Sequence, residues 1–431
     1  MDLPTTDSPL ALGIDFGTSG ARAAVIDSTH QVLAEARCTY PTTISEQMAA
    51  GWQQTLFELL EQIPVELRGD ISAIAIDGTS STVLLCDAQG RVLTPPLLYN
   101  DDRGRSQLDR ARQLAPAGHT VISATSSLVK LLWWQENLSP ELWPKARFLL
   151  HQADWLAFLL HGKLGFSDYH NALKLGYDVG SLRYPDWLLK ADLAGLLPDV
   201  QEPGAVIGPM EGAIAAQFGF SPGCQICAGT TDSIAAFLAS GAAHPGDGVT
   251  SLGSTLVLKL LSDTRVDNSR YGIYSHRLGH QWLVGGASNT GGAVLNQFFA
   301  APELTELSTQ IDPTEPSFLD YYPLLKPGER FPINDPDLTP RLDPRPEQPG
   351  KFLHGLLESM ARIEQQGYGL LQELGASPLQ QVFTAGGGAA NQTWSQIRQR
   401  HLQRPVHSAR HPEAAVGAAQ LALRGLRQEK I

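Results

Sequence analysis

Three glycine-rich turns stand out in this chain of 431 residues, each directly after a short apolar segment. They are "DFGTSG" from Asp15, "SLGST" from Ser251 and "AGGGAANQTW" from Ala385. The apolar segments have the length and composition of β-strands, so each turn leads from a strand into the next element. Glycine lets a ligand approach the backbone, and successive N–H groups in such a turn can surround an anion. One such turn alone is more often a plain hairpin, but three at strand ends predict phosphate binding.

The common phosphate-binding motifs do not account for these turns. The chain contains no GxxxxGK[ST] sequence, and Gly13, Gly17 and Gly20 lack the spacing of GxGxxG. The sequence therefore predicts a phosphate-binding fold of another class.

Size and charge narrow the class of protein further. A chain of this length exceeds one ordinary core, so we expect two domains. The net charge of −12 argues against binding to nucleic acid or to an anionic membrane. No apolar run reaches bilayer length and the first residues do not resemble a targeting segment, which predicts a cytoplasmic protein with organellar import left open. Cys224 and Cys227 form a CxxC pair inside an apolar segment without further ligands, so we interpret them as core residues.

Hydrophobic periodicity predicts an α/β chain whose two halves begin alike. The first half begins with three short strands in an antiparallel meander, then a helix from about Gln53 to Leu60 and a buried strand in "ISAIAIDGTS". A hairpin is predicted with its turn at Gln89 and Gly90, and residues 107–220 predict a mainly helical insert. The second half repeats strand, glycine turn and strand in "DGVTSLGSTLVLKLL", which suggests two related cores.

Local signals mark the ends of several elements. Serines before "LVKLLWWQENL" predict an N-cap, and Gly162 is placed to end the helix of "HQADWLAFLLH". The proline-rich segment 321–350 cannot be a regular helix, and a last helix is predicted from about Pro412 to Leu426.

Acidic residues at predicted strand ends are the candidate catalytic groups: Asp15, Asp77, the pair Asp101 and Asp102, and Asp232. Phosphoryl transfer to a hydroxyl needs one carboxylate to accept the proton and another to hold Mg²⁺. Asp15 and Asp232 are the pair we choose. Asp232 also stands where a helix begins, so an N-cap role explains it equally well from the sequence alone.

Taken together, these motifs resemble the FGGY family of carbohydrate kinases over nearly the whole chain. The matching segments include "GIDFGTSGARAAVID", "LYNDDR", "KLLWWQEN", "AGTTDSIAA", "SLGST" and "TAGGGAANQTW". The resemblance implies a two-domain actin-like ATPase (ribonuclease H-like) fold, with mixed five-stranded sheets flanked by helices and a cleft between the domains. It implies a sugar-binding domain with a helical insert over residues 9–240 and a nucleotide-binding domain over 241–431, which close around sugar and ATP.

The resemblance also assigns roles to individual residues. Asp232 matches the catalytic base, and Asp15, together with Asp232, is expected near Mg²⁺ through water. The sugar site is expected to include Thr79, Ser80, Asp101 and Arg103 beside these two aspartates. Three sets of residues are expected to bind ATP: Gly17, Thr18 and Ser19; Gly253, Ser254 and Thr255; and Gly386, Gly387 and Gly388. Asn391 is expected to hold the nucleotide and Trp394 to pack beside the base.

The substrate is the least determined part of this prediction. The segment "DGTSSTVLL" departs from the glycine–glutamine motif of xylulose and glycerol kinases, and the chain is shorter than they are. It looks closer to the compact D-ribulose kinase or xylulose-kinase-like group of cyanobacteria and plants, which implies conversion of D-ribulose to D-ribulose 5-phosphate. D-xylulose kinase activity and a nucleotide-gated sugar-binding or regulatory protein without kinase output remain the alternatives. An acyl kinase is disfavoured because "AGTTDSIAA" offers no histidine or arginine, and the oligomeric state is not predicted.

Overall fold

The computed structural model describes residues 9–40 and 47–427, which divide into two compact units. The first unit contains the described residues up to Ala239 and those from Glu413 onward, and the second contains Ser240–Pro412. The C-terminal segment therefore lies in the first unit, whereas the predicted second domain extended to residue 431. None of the described helices is both long enough and apolar enough to cross a membrane.

The first unit is built on a mixed sheet. Its strands are β1 (Leu10–Phe16), β2 (Gly20–Ile26), β3 (Val32–Thr39), β4 (Ile71–Gly78), β5 (Val83–Cys86), β6 (Phe148–His151), β7 (Phe166–Asp168), β8 (Asp199–Gln201), β9 (Val206–Pro209), β10 (Gln225–Cys227) and β11 (Thr230–Thr231). The main sheet has seven strands in the order β3-β2-β1-β4-β10-β9, with β11 also paired to β4. The predicted meander β1–β2–β3 is confirmed, and β4, β10 and β11 run parallel to β1.

Helices pack around this sheet. They are α1 (Met48–Gln62), α2 (Val65–Arg68), α3 (Leu108–Leu114), α4 (Ser127–Asn137), α5 (Gln152–His161), α6 (Tyr169–Ala172), α7 (Asp186–Leu189), α8 (Gly212–Phe218) and α9 (Asp232–Ala239). As predicted, a serine caps α4, because the Ser126 side chain accepts the Val129 N–H, and α5 ends at Gly162 with φ of 70°. Helix α1 is longer than predicted. The predicted helical insert also contains the strands β6 to β9.

The second unit repeats this plan in a separate mixed sheet. Its strands are β12 (Asp247–Leu252), β13 (Leu256–Ser262), β14 (Tyr274–Leu278), β15 (Gln281–Ser288), β16 (Gln381–Ala385) and β17 (Val406–Ser408), and its helices are α10 (Gly292–Phe298), α11 (Ala301–Thr309), α12 (Pro349–Glu373) and α13 (Gln392–Leu402). The strand order is β14-β15-β13-β12-β16-β17. In both units an antiparallel hairpin (β1–β2, β12–β13) lies beside a parallel neighbour (β4, β16). The predicted mixed α/β class is confirmed, with sheets of seven and six strands rather than five.

The last helix, α14 (Ala414–Arg427), explains why the C-terminal segment belongs to the first unit. A Cβ on Gly13 of β1 would lie 1.8 Å from the Ala415 carbonyl oxygen, and one on Gly417 would lie 1.9 Å from the Ala235 carbonyl oxygen of α9. The backbone of α14 therefore lies directly against β1 and α9, at a distance that only glycine permits. Gly13 serves helix packing rather than phosphate binding.

Other predictions concern single segments. The turn at Gln89 and Gly90 is present, with Gly90 at φ of 77°, and the chain after it returns to β5 through two isolated bridges, Cys86–Val92 and Val83–Leu97. Strand β5 also pairs with β6. The segment 321–350, predicted to be without regular helix, has none up to residue 348, and its last two residues begin α12. Cys224 and Cys227 are free thiols at 0 % exposure, which confirms their assignment to the core.

Candidate active site

Three aspartates lie at the carboxyl ends of neighbouring parallel strands in the first unit. Asp15 near the end of β1 is the register partner of Asp77 near the end of β4, and Asp77 is also the partner of Thr230 in β11. Asp232 follows β11 directly as the first residue of α9. Parallel strands bring their carboxyl ends to one edge of a sheet, which is where ligands bind in open α/β folds. The structure thus brings Asp15 and Asp232 together as predicted, with Asp77, also a candidate from the sequence, on the strand between them.

Asp77 is a buried carboxyl group without compensation. Its exposure is 0 %, neither carboxyl oxygen accepts a hydrogen bond from a described amide, hydroxyl or cationic group, and its side-chain hydrogen bond is to the Asp15 carboxyl. Burial, followed by the negative charge of Asp15, raises the pKa of Asp77 well above its usual range. Two adjacent acceptor-only carboxylates must share a proton or a cation, since otherwise they repel each other at short range.

Asp15 is also buried, at 5 % exposure. Burial is the largest influence and raises the pKa of Asp15. A hydrogen bond with the Asp77 carboxyl lowers this pKa, and the negative charge of Asp232 raises it. The Arg22 guanidinium lies 3.8 Å from the Asp15 carboxylate and 3.2 Å from Glu413. This half-exposed arginine therefore divides its charge between two acids, and the site retains an excess of negative charge.

The position of Asp232 is fixed from the strand that precedes it. Its carboxylate accepts the Ser233 N–H at 2.6 Å, so the first helical turn orients it. Behind it, Asn171 donates from Nδ2 to the Thr230 carbonyl oxygen at 3.2 Å, and the His170 ring forms a 2.8 Å hydrogen bond with the Thr230 hydroxyl. The side chain is partly exposed, which leaves it able to contact a substrate. The place of Asp232 at the start of a helix is compatible with an N-cap role and with a catalytic role.

The oxygen donors at this edge are of the type that Mg²⁺ prefers. Among the residues that the structure describes, no group of three or more histidine, cysteine or acidic side chains is arranged to enclose a metal ion. Mg²⁺ does not need such a cage, because it usually keeps several waters and takes one or two carboxylates besides phosphate oxygens. The oxygens of Asp15, Asp77 and Asp232 are thus compatible with a hydrated Mg²⁺ at this edge.

The turn between β1 and β2 places Thr18 and Ser19 at its exposed tip. The Gly17 N–H donates to the Gly20 carbonyl oxygen at 3.1 Å, and the Tyr40 hydroxyl donates to the Gly17 carbonyl oxygen at 2.7 Å. Gly20 is required by packing, since a Cβ there would lie 2.5 Å from the Cys38 carbonyl oxygen. Gly17 is not, because its nearest contact would be 3.5 Å away.

The corresponding turn of the second unit, Gly253–Thr255, joins β12 to β13. A Cβ on Gly253 would meet nothing closer than 3.8 Å. The N–H groups of Gly292 and Ala293 donate to the carbonyl oxygens of Gly253 and Ser254 at 2.8 and 3.1 Å, so the start of α10 supports this turn. Sequence reasoning missed this support, for which the motif "NTGG" at 289–292 was the available signal.

The third turn, after β16, contains glycines of two kinds. Gly386 has φ of 82° and lies against Leu252, and Gly388 lies against Leu252 and Trp394, so both are required by the fold. A Cβ on Gly387 would meet no atom within 4 Å. Each of the three turns thus contains one glycine, namely Gly17, Gly253 or Gly387, whose small size the described fold does not require. Space of this kind is what a closely approaching ligand needs.

Asn391 and Trp394 have structural partners of their own. The Asn391 carboxamide caps α13 by accepting the Trp394 N–H at 2.9 Å and donates to the Ser308 hydroxyl at 2.8 Å. Trp394 is 3 % exposed and packs beneath Gly388. These contacts account for both residues without a nucleotide, and their predicted roles in nucleotide binding stay predictions.

A concave pocket in the first unit adjoins the β1–β2 turn. Its described lining residues are Gly17, Thr18, Tyr40, Met48, Gly51, Trp52, Thr79, Leu98, Tyr99 and Gln152. The Thr79 hydroxyl lies 2.5 Å from the Thr82 hydroxyl and 3.2 Å from the Gln152 carboxamide oxygen. Burial, and then the charges of Asp15 and Asp77, raise the pKa of Tyr40, which keeps its phenol protonated beside the acidic edge. Aromatic walls with a few oriented polar groups suit a sugar.

Sequence reasoning found Thr79 in this pocket and missed its aromatic and amide neighbours. Tyr40, Trp52, Tyr99 and Gln152 come from four separate places in the chain, and none belongs to a recognisable motif. Such a pocket is visible only once the chain is folded.

The other predicted sugar-site residues do not line this pocket. Ser80 follows Thr79 and is partly buried. Asp101 and Arg103 pair with each other at 2.9 Å, and the Arg103 guanidinium lies 4.9 Å from the centre of the Trp133 ring. Sugar contacts by these three residues stay predictions.

A fully buried lysine bonds to the backbone of the two loops that carry Ser80 and Asp101. Lys130 of α4 donates from Nζ to the carbonyl oxygens of Ser81 and Leu98, at 2.8 and 2.6 Å. Burial lowers its pKa to about 7. The backbone of Ser81 is in the left-handed region with φ of 65°, so the lysine supports a strained residue directly after the predicted acceptor residues.

Comparison with known proteins identifies the family. Residues 10–239 match the N-terminal domain, and residues 248–426 the C-terminal domain, of the "FGGY family of carbohydrate kinases". This chain belongs to the FGGY family of carbohydrate kinases. It is therefore a sugar kinase, a phosphotransferase, and kinases of this family use ATP.

Individual relatives agree with this assignment. A xylulose kinase from Bacillus subtilis is 26 % identical over 96 % of this chain and 88 % of its own length. A gluconokinase from the same organism is 22 % identical over 90 % of this chain and 81 % of its own length. The crystal structure of a xylulose kinase from Rhodospirillum rubrum superposes with a TM-score of 0.83 at 24 % identity, covering 96 % of this chain and 90 % of that one. This likeness confirms the predicted fold.

Proposed function

We propose that this kinase transfers the γ-phosphate of ATP to the 5-hydroxyl of D-ribulose, giving D-ribulose 5-phosphate and ADP. The observation that carries the proposal is the row of carboxyl groups at three neighbouring strand ends, in which only Asp232 is partly exposed. Asp232 accepts the hydroxyl proton as the substrate oxygen bonds to the γ-phosphorus and the bond to the β-phosphate oxygen breaks. The buried Asp15 and Asp77 stay behind it, and the raised pKa of Asp77 lets that residue keep its proton beside Asp15.

We assign acceptor binding to the first unit and nucleotide binding chiefly to the second. The pocket beside the β1–β2 turn supports the first assignment. The open glycines at 253 and 387 support the second, because their turns leave the backbone accessible to phosphate groups. Gly17, Thr18 and Ser19 would bind the transferred phosphate from the sugar side.

Asp15 and Asp232 would hold Mg²⁺ through water. The ion, when bound, neutralises the charge of the phosphates and orients them. The chain's own contribution is the orientation of the two carboxylates by β1 and by the first turn of α9.

Electrostatics favour a neutral acceptor over a sugar acid. None of the described residues that line the pocket is lysine, arginine or histidine, and the neighbouring edge is acidic. An aldonate such as gluconate, the substrate that the gluconokinase relatives are named for, would meet negative charge without a cationic partner. A ketopentose fits this environment and agrees with the xylulose kinase relatives. D-ribulose is preferred to its C3 epimer D-xylulose because "DFGTSG" and "IDGTS" resemble the compact D-ribulose kinase group.

The proposal is tested by the initial rate of ADP formation with D-ribulose, D-xylulose, L-ribulose, glycerol and gluconate, for wild type and Asp232→Asn. We expect the highest kcat/KM with D-ribulose, stoichiometric phosphosugar, and a loss of kcat of about 10³-fold or more in the variant. Sugar affinity, measured by calorimetry, should be retained in the variant. Preference for D-xylulose would correct the substrate alone, whereas full activity of Asp232→Asn would exclude it as the base.

A further inference from the structure

The second unit contains a charged pair that is almost completely buried. Arg398 of α13 is 0 % exposed and Glu364 of α12 is 1 % exposed. The guanidinium donates to both carboxylate oxygens, from Nε at 2.6 Å and from Nη2 at 2.7 Å. A buried pair of this kind is seldom more stabilising than apolar residues of similar volume, so stability alone does not explain it.

The pair also bonds to two adjacent strands, one through each charge. The Thr250 hydroxyl of β12 donates to the Glu364 carboxylate at 2.5 Å, and the Thr384 hydroxyl of β16 accepts from Nη1 of Arg398 at 2.7 Å. Thr250 and Thr384 are register partners in the parallel pairing of β12 with β16. Glu364 therefore bonds to β12 and Arg398 bonds to β16, so the ion pair fixes the two strands relative to each other.

These strands lead directly to the two glycine turns of this unit. Thr250 precedes Gly253 by three residues, and Thr384 precedes Gly387 by three residues. Both anchored hydroxyls are thus equally far from the glycines that leave open space for a ligand. A small sliding of β16 against β12 would change the separation of the two turns, and one nucleotide must contact both of them at once.

We propose that Arg398 and Glu364 are positioning residues that set the spacing of the two nucleotide-binding turns and thereby the affinity for ATP. The inference rests on the proposed role of the second unit in nucleotide binding. Neither side chain touches the nucleotide in this account, and both act through Thr250 and Thr384.

The test removes the anchors and leaves the ion pair in place. Thr250→Val and Thr384→Val keep the side-chain volume, and Thr384→Ser keeps the hydroxyl. Thr55→Val is the matched control, because Thr55 is a 0 % exposed threonine of the first unit whose hydroxyl has no partner in the described part of the chain. Calorimetry with ATP in the absence of sugar measures nucleotide affinity, and steady-state kinetics give both KM values.

Each valine variant should weaken ATP binding by about five- to tenfold, since a hydrogen bond to a charged group is lost. The KM for the sugar should stay within about twofold of the wild-type value, as expected for independent sites. Thr384→Ser and Thr55→Val should bind ATP like wild type.

Unchanged ATP affinity in both valine variants would overturn the inference. A parallel rise of both KM values, with a matching loss of thermal stability, would also overturn it, because it would indicate general destabilisation. The proposed function fails differently: wild type itself would then not bind ATP, or would not phosphorylate any sugar of the panel.

Discussion

Asp77 in the first unit and Glu358 in the second are buried carboxyl groups with nearly the same exposure, 0 % and 1 %, but opposite surroundings. Within the described ranges, Asp77 has no cationic or neutral donor and bonds to the carboxyl group of another acid, Asp15. Glu358 is bonded to His401 at 2.5 Å, to His354 at 3.3 Å and to Arg400. The same residue class is therefore left uncompensated at one place and fully paired at the other.

This difference distinguishes a carboxyl group kept for function from one that stabilises the fold. A carboxyl group buried without a cation or a neutral donor destabilises the fold, so the presence of Asp77 at the end of β4, beside Asp15 and Asp232, indicates chemistry at that edge. A carboxylate that is surrounded by cations holds helices together, as Glu358 does between α12 and α13.

The largest effect after that of Asp232→Asn is expected from Asp15→Asn. This change keeps the shape of the side chain and removes a charge that we assign to Mg²⁺ and phosphate positioning, so kcat should fall by about 10²- to 10³-fold. Titration of activity with MgCl₂ should show a higher requirement than wild type. An unchanged metal requirement at unchanged kcat would show that Asp15 is an architectural acid like Glu358.

Arg398→Met should lower stability as well as the affinity for ATP. It leaves Glu364 buried without its cation, and the loss of unfolding free energy should be about 3–5 kcal/mol in urea denaturation. The double variant with Glu364→Leu should recover part of this loss, because no buried charge is then left unpaired. A loss below about 1 kcal/mol in the single variant would indicate that the pair is more hydrated than its burial suggests.

The pH dependence of stability should have opposite signs at the two acids. The unfolded chain releases the Asp77 proton near its ordinary pKa of 3.8, while the folded protein keeps it to higher pH. Between these two values the folded state binds more protons, so stability falls as pH rises. Asp77→Asn should remove this slope and stabilise the protein by about 1–3 kcal/mol at pH 8.

For Glu358, hydrogen bonds from His354, His401 and Arg400 outweigh burial and lower the pKa well below its ordinary value of 4.5. The unfolded state then binds more protons below about pH 4.5, so stability falls as pH falls. Glu358→Gln should remove this loss of stability at acid pH, and it should add no pH dependence of stability in the neutral range. Urea denaturation of both variants between pH 3 and 8 measures the two slopes, and equal signs would contradict the comparison.

The smallest structural effect is expected from Gly387→Ala. The added Cβ meets no described atom within 4 Å, so the free energy of unfolding should change by less than about 0.5 kcal/mol. The KM for ATP should nevertheless rise several-fold. Gly369→Ala is the matched control, since a Cβ there also meets nothing within 4 Å but lies on helix α12. Equal ATP affinity in the two variants would remove Gly387 from the nucleotide site.

Local patterns in the sequence were sufficient for the meander, the glycine turns and the pair Asp15 and Asp232. Each depends on residues close together in the chain or on the rule that parallel strands end at one edge. The sequence could not place α14, because an alanine-rich helix with Gly417 fits many surfaces and only its contact with Gly13 selects one. It also could not distinguish Gly387 from Gly386 and Gly388, since their difference is in what surrounds them.

Long-range contacts account for the rest. The aromatic pocket requires four distant segments, and the uncompensated state of Asp77 depends on the absence of donors on neighbouring elements of the described fold. Asn391 was predicted from a motif, yet its amide bonds to Ser308, 83 residues away. Such partners follow from tertiary structure alone.

We propose that Asp232, the partly exposed acid at this sheet edge, is the base for a neutral ketose. It is tested most directly by sugar-dependent ADP formation with D-ribulose at saturating ATP and Mg²⁺, comparing wild type with Asp232→Asn and with the Glu358→Gln control. We predict that Asp232→Asn loses about 10³-fold or more in kcat at retained sugar affinity, while Glu358→Gln stays within about twofold of wild type. Sugar-dependent turnover that survives in Asp232→Asn, or that falls equally in both variants, would contradict it.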